Sequence, residues 1–362
     1  MSGGFDGNAV VYCEGALGTP NGKTAHGLVR FTERYRVLSV VDSAWSGRDA
    51  GEVIDGRAAG IPVHSSTGAA VRAAAAAGAE ATHFVVGIAP DGGRLGKRAR
   101  EDVIEAVRMG LNVDCGLHDF LGDDPEIAGE AGKTGVTIRD VRKTPPRSEL
   151  HFFSGKIEEV GSLKVAVLGT DSAIGKRTTA WILVHALREA GTSVEMVGTG
   201  QTAWMQGARY SILLDSLVND FVSGEIEHAV WSAWNDSSPE VIVIEGQGSL
   251  MNPAYPGGFE ILAAARPDAV ILQHAPARRE YDGFPGYPIQ PLPVQIEAVE
   301  LVSGRPVVAL TINHEGIPPG RIEAACEEAS GKTGLPAFDV LSQGGGELAG
   351  LIRGLAGERR KR

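Results

Sequence analysis

The chain has 362 residues, 49 of them glycine, with 43% hydrophobic residues and a formal net charge of −11. Glycine at roughly twice its usual share but without a G-X-Y period excludes collagen, and the apolar fraction excludes wholesale disorder. The acidic balance argues against a nucleic-acid surface. The three cysteines, Cys13, Cys115 and Cys326, are too scattered for a disulfide framework or a metal-ligand pattern.

The N-terminal residues carry no basic-then-apolar leader pattern, and no run approaches the length of about 20 apolar residues that spans a bilayer. The expected setting is the cytoplasm, with no membrane partner. At about 150 residues per domain the length predicts two domains.

In chain order, residues 8–12, 35–41, 83–86 and 112–114 read as strands. They alternate with helical patterns at 24–30, 66–77 and 96–109. Short Val-rich runs between amphipathic helices imply βαβ units and a parallel sheet. Within this half, Gly22-Lys23-Thr24 looks like a phosphate loop but lacks the full glycine fingerprint, and Asp42 ends the second strand where nucleotide folds place a ribose-binding carboxylate. Lys23 is kept as a candidate substrate contact. Residues 121–150 are polar and proline-containing and read as a connector with a short strand at 135–140. The boundary is placed at 150, giving a Rossmann-like domain over 1–150 and a P-loop NTPase-like domain over 151–362.

The second half opens on an apolar strand at 163–168 and a helix at 176–190. Strands follow at 193–197, 210–214, 241–244, 269–273 and 307–312, with helices at 216–233, 321–330 and 346–356. The overall expectation is α/β, one parallel-sheet domain after another.

The strongest chemical signal lies between that first strand and helix: Gly169, Thr170, Asp171, Ser172, Ala173, Ile174, Gly175, Lys176, Arg177, Thr178. Glycine lets consecutive N–H groups turn toward an anion. The helix start adds partial positive charge and the lysine a full one. Five residues, not four, separate the two glycines, and Arg177 occupies the place of the hydroxyl residue that binds Mg²⁺ in the standard motif. A guanidinium there favours direct phosphate clamping.

A second strand ends in Glu245, followed by Gly246, Gln247, Gly248 and Ser249. The carboxylate is a candidate base, substrate ligand or metal ligand, and Gln247 and Ser249 are candidate substrate contacts. A third strand ends in His274, with Arg278 and Arg279 in the Gly/Pro/aromatic loop beyond. The arginines can grip a carboxylate or phosphate. His274 is a candidate catalytic group, and Asp171 a weaker one. Asn313 or His314, in the TINHEG turn, can touch a nucleobase or substrate. No HExxH, paired CxxC or GxSxG occurs, and no metal site is expected.

The stretches GKTAHGLVR, VVDSAWSG, FVVGIAPDGG and GLNVDCGLHDFL, then GTDSAIGKRTTA, IEGQGSLMNPAY and LQHAPARREYDGFPG, resemble a bacterial and archaeal two-domain family with a Rossmann-like and a P-loop domain. Members similar to this chain are D-glutamate N-acetyltransferases. The resemblance implies acetyl-CoA as co-substrate, a D-amino acid as acceptor and a role in D-amino-acid catabolism beside an enolase-superfamily N-acetyl-amino-acid racemase. Under it, Lys176 and Arg177 anchor the phosphates of CoA, Glu245, His274 or Asp171 takes the amine proton, and Arg278 or Arg279 holds the substrate carboxylate. The GTD…GK opening is also similar to the dethiobiotin synthetase branch of P-loop proteins. That likeness leaves an ATP- or GTP-dependent, Mg²⁺-using ligase or kinase as the alternative. Two sheet domains with apolar surface suggest a homo-oligomer.

Overall fold

The computed structural model describes residues 5–359. Its contacts divide into two units. One comprises the chain up to Pro145 together with Gln201–Ala208, and the other comprises Pro146–Gly200 and the chain from Arg209 onward.

The first unit is built on six parallel strands: β1 Gly7–Tyr12, β2 Tyr35–Val41, β3 Val63–His64, β4 His83–Val86, β5 Asn112–Cys115 and β6 Ile138–Asp140. Their order is β3-β2-β1-β4-β5-β6. This is the order of dinucleotide-binding sheets, which reverses direction between β1 and β4. Side chains alternate across the pleat. Val10, Tyr12 and Phe84 pack with Val103, Val107 and Ile127 on one face. Ala9, Val11 and Val85 pack with Leu28 on the other. Both faces are covered, so the strands read as continuous apolar runs.

The second unit carries seven parallel strands: β7 Leu163–Gly169, β8 Val194–Gly198, β9 Tyr210–Ser211, β10 Val241–Glu245, β11 Ala269–His274, β12 Val307–Ile312 and β13 Ala337–Phe338. The order is β13-β12-β11-β7-β10-β8-β9. One face bears Leu168, Ile244, Leu272 and Ile312 against Ile226, Val230, Leu292 and Val299. The opposite face carries the helix Lys176–Glu189, whose Thr179 hydroxyl donates to the Gln273 side chain at 2.5 Å.

Four expectations change. The presumed connector contains a helix, Pro125–Thr134, started by Asp124, which accepts from the Glu126 and Ile127 amides, and ended by Gly135 at φ 74. That left-handed turn takes the first residues of the expected strand, leaving Ile138–Asp140. The expected strand at 210–214 keeps Tyr210–Ser211. A helix that the sequence does not predict, Leu292–Ser303, follows the Gly/Pro/aromatic loop beyond His274.

Candidate functional site

The loop after β7 is shaped by glycine. Gly175 has φ +96, a left-handed conformation that side chains resist. In the neighbouring turn after β10, a Cβ on Gly246 would fall 2.4 Å from the Val167 carbonyl oxygen. Two turns therefore lie side by side at the carboxyl ends of adjacent strands, where open α/β sheets bind ligands. Ala173, at φ 51, is the non-glycine residue that the loop forces into the left-handed region.

Lys176 opens the following helix and is buried. Its Nζ donates to the Asp171 and Gly248 carbonyls at 2.7 Å each, so it bridges the two turns. Burial pulls its pKa down to about 8, against the raising influence of Asp171 and Glu245. Glu245 is buried beside it, with Oε2 accepting from the Thr199 amide at 2.8 Å. Burial raises the Glu245 pKa, while Arg177, the Thr199 amide and Lys176 oppose that rise. Glu245 thus lies enclosed beneath the loop, its charge coupled to those of Lys176 and Arg177. Arg177 and Thr178 are half-buried at the same helix start.

Asp171 is completely buried and saturated. Oδ1 accepts from the Ser172 amide and from Asn252 Nδ2, each at 2.7 Å. Oδ2 accepts from Arg278 at 2.9 Å and from the Asp282 amide at 3.0 Å. Four donors on one carboxylate leave no lone pair directed at a reacting proton. Asp171 is an organiser of three loops rather than the weaker catalytic candidate. Arg278 is committed too, to Asp171, to the Ser172 carbonyl at 2.8 Å and to Glu315 at 3.0 Å. Ser172 Oγ donates to Asp282 at 2.8 Å. Gln247 donates to the Thr199 carbonyl at 2.8 Å, and Ser249 Oγ accepts from the Asn252 amide at 3.2 Å, so both brace the turn after Glu245.

His274 lies elsewhere. It shares a sheet face with Leu272, whereas Glu245 shares the opposite face with Val243, because neighbours on a strand alternate. The structure does not bring these two expected bases together. His274 Nδ1 lies 3.0 Å from Thr170 Oγ1. Burial, reinforced by Lys332, drives its pKa down to about 4, so it is uncharged at neutral pH and weakly basic. It forms part of the wall of a cavity of about 410 Å³ with Arg278, Arg279, Gln290, Leu292 and Lys332. Arg279 is exposed at this cavity. Arg279 and Lys332 thus stand exposed at the cavity, whereas Arg278 is spent on partners within the protein. Lys332 also pairs with Glu328 at 2.5 Å.

Lys23 belongs to the first unit, exposed at the start of the helix Lys23–Arg30. Asp42 is buried there, its oxygens accepting from the Leu17 and Ala44 amides at 3.0 Å each. It closes a turn and offers no carboxylate to a ribose.

Sequence reasoning gave little weight to one feature of the second unit. His314, after β12, places Nδ1 against Oδ2 of the fully buried Asp339. The signal was present as a histidine at a strand end, but its partner stands 25 residues away. Among the described residues no cluster of His, Cys, Asp and Glu suits a metal ion, and no helix is long and apolar enough to cross a membrane.

Comparison with known proteins agrees with these two architectures. Residues 151–349 match the family described as a domain of unknown function (DUF1611_C), P-loop domain, and residues 43–144 match DUF1611_N, Rossmann-like domain. A protein of Tritonibacter scottomollicae named D-glutamate N-acetyltransferase is 30% identical over 77% of this chain and 83% of its own length. One of the same name from a Pseudoalteromonas species is 29% identical over 72% of this chain and 78% of its own. The crystal structure of a DUF1611 family protein from Anabaena variabilis aligns with a TM-score of 0.87 at 27% identity, covering 96% of this chain and 99% of that one.

Proposed function

From the premise that this chain belongs to the DUF1611 family, we propose that it transfers the acetyl group of acetyl-CoA to the amine of D-glutamate or a related D-amino acid. The observation that carries the reading is the loop from Gly169 to Thr178, with buried Lys176 at its centre and Arg177 where a magnesium-binding hydroxyl would stand. CoA presents a pyrophosphate and a 3′-phosphate, which this loop suits without hydrolysing either. The names of the two relatives supply the acceptor and the acyl group.

The cavity beside His274 suits the acceptor. Arg279 and Lys332 offer charge to its carboxylates, and Thr170 connects the cavity wall to the phosphate loop. Uncharged His274 presents a polar ring without repelling a substrate ammonium. In this reading, backbone N–H groups of the phosphate loop stabilise the oxyanion of the tetrahedral intermediate. Capping the amine prepares the amino acid for a racemase acting on the α-carbon, the functional partner in this reading.

The test is thiol release from acetyl-CoA across a panel of D- and L-amino acids, followed by mass analysis of the product. The expected result is CoA release with D-glutamate and a product heavier by one acetyl group. No thiol above background with any amine overturns the reading. Magnesium-dependent nucleotide turnover stimulated by a carboxylate would replace it with a ligase or kinase.

A further inference from the structure

Resting on the acyl-transfer reading, we propose that His314, oriented by Asp339, is the proton acceptor for the attacking amine. The three acids and bases expected from sequence leave that role open. Asp171 is saturated by four donors, Glu245 is enclosed beneath the loop and held by the Thr199 amide, and His274 is weakly basic.

His314 has the arrangement a base requires. Asp339 is completely buried and fixed by its own loop, with Oδ1 accepting from the Leu341 and Ser342 amides at 3.1 Å each. Its Oδ2 receives His314 Nδ1, with Ser342 Oγ donating to the same oxygen at 3.2 Å. A carboxylate on Nδ1 holds the proton there and leaves the lone pair on Nε2, while fixing the plane of the ring. The His314 side chain is 31% exposed against 0% for Asp339, so one end of the pair is locked inside and the other is open.

Its position joins the two binding regions. Asn313, the preceding residue, donates its amide to the His274 carbonyl at 2.7 Å, on the cavity wall. Its Nδ2 donates to the Ile174 carbonyl at 2.9 Å, in the phosphate loop. Glu315, the following residue, pairs with Arg278, which in turn holds Asp171. The turn carrying His314 is thus fastened through its neighbours to the phosphate loop on one side and to the cavity wall on the other. Glu245 stands at the end of β10, three strands from β12 in the sheet order. At about 4.8 Å per strand, the two groups are too far apart to serve one nitrogen.

The step balances as follows. His314 Nε2 takes one proton from the substrate ammonium, and the freed nitrogen lone pair forms the N–C bond to the thioester carbonyl. The C–S bond breaks with its electron pair on sulfur. The proton on His314 passes to that sulfur, and the second proton lost by nitrogen goes to water. The products are the N-acetyl amino acid, CoA thiol and one proton.

The experiment compares the full-length wild type with His314→Gln, using acetyl-CoA and D-glutamate across pH, with melting temperatures as a check on folding. Loss of a general base lowers kcat by about 10²–10⁴-fold, with KM for acetyl-CoA unchanged. The residual rate of the variant follows the free-amine fraction of D-glutamate as pH rises. Asp339→Asn, which retains a cap oxygen, lowers kcat in the same direction. His314→Ala is partly restored by added imidazole, a readout that a structural histidine would not give. An unaltered kcat in a folded His314→Gln variant overturns the inference alone. A raised KM for acetyl-CoA at unchanged kcat also overturns it and assigns His314 to binding the donor. A wild type inactive on every amine overturns the acyl-transfer reading, and this inference with it.

Discussion

Lys176 spans two turns through two backbone carbonyls, and an arriving phosphate would compete for the same ammonium hydrogens. Lys176→Ala should therefore weaken binding of CoA, measured calorimetrically, by about 1.5–3 kcal/mol, the range of a hydrogen bond to a charged group. Equal affinities would remove the loop from the binding site. The lowered lysine pKa adds a pH signature. The ammonium is present below about 8 and is lost as pH rises through that value, so anion affinity should fall there, well before ordinary lysines titrate. Glu245 raises the Lys176 pKa. Glu245→Gln should therefore move the fall in affinity to lower pH. A midpoint that stays in place would mean the two charges do not communicate. The loop itself was plain in the sequence because its glycines, lysine and helix start are contiguous. The saturation of Asp171 was not, because its partners Asn252 and Arg278 lie 81 and 107 residues away.

At the level of elements, the carboxyl ends of β7, β10 and β11 are tied together by one buried anion. Asp171→Ala would remove the buried acceptor for Arg278 and Asn252, leaving the guanidinium with only the exposed Glu315 as counter-charge. Removing one partner of such a pair costs about 3 kcal/mol or more. Urea denaturation should show a loss of that order. A variant as stable as the wild type would mean that water replaces the carboxylate without penalty. The strands were legible because both sheets are covered on both faces, which makes each strand an unbroken apolar run. The helix Pro125–Thr134 buries Ile127 and Ala131 among polar neighbours, so composition hid it, although Asp124, Pro125 and Gly135 spell its two ends. The helix Leu292–Ser303 was hidden by the proline-rich run that leads into it.

Across the whole chain, the division into units does not follow the sequence. The crossover after β8 contributes Gln201–Ala208 to the first unit. Met205 is completely buried in that unit's core. Gln206 Nε2 donates to the Gly27 and Phe31 carbonyls at 2.9 and 3.0 Å, and the Arg34 guanidinium lies 3.8 Å from the Trp204 ring centroid. A chain ending at Pro145 should therefore unfold at lower urea than the same chain with residues 201–208 attached through a flexible linker. The difference expected from one buried methionine is about 2–5 kcal/mol. Identical midpoints would show the helix to be a passenger. No periodicity in the sequence announces such a segment, because its burial is decided by a partner surface formed nearly two hundred residues earlier.

That borrowed helix bears on how such a protein can change over generations. A Rossmann-like unit whose core is completed from inside the next domain's coding stretch cannot be exchanged for another by joining genes at the linker. Any recombination near residue 145 would deliver one half with a hole in its core and the other with an orphaned apolar helix. The two halves are therefore bound to be inherited, and to diverge, as a single piece.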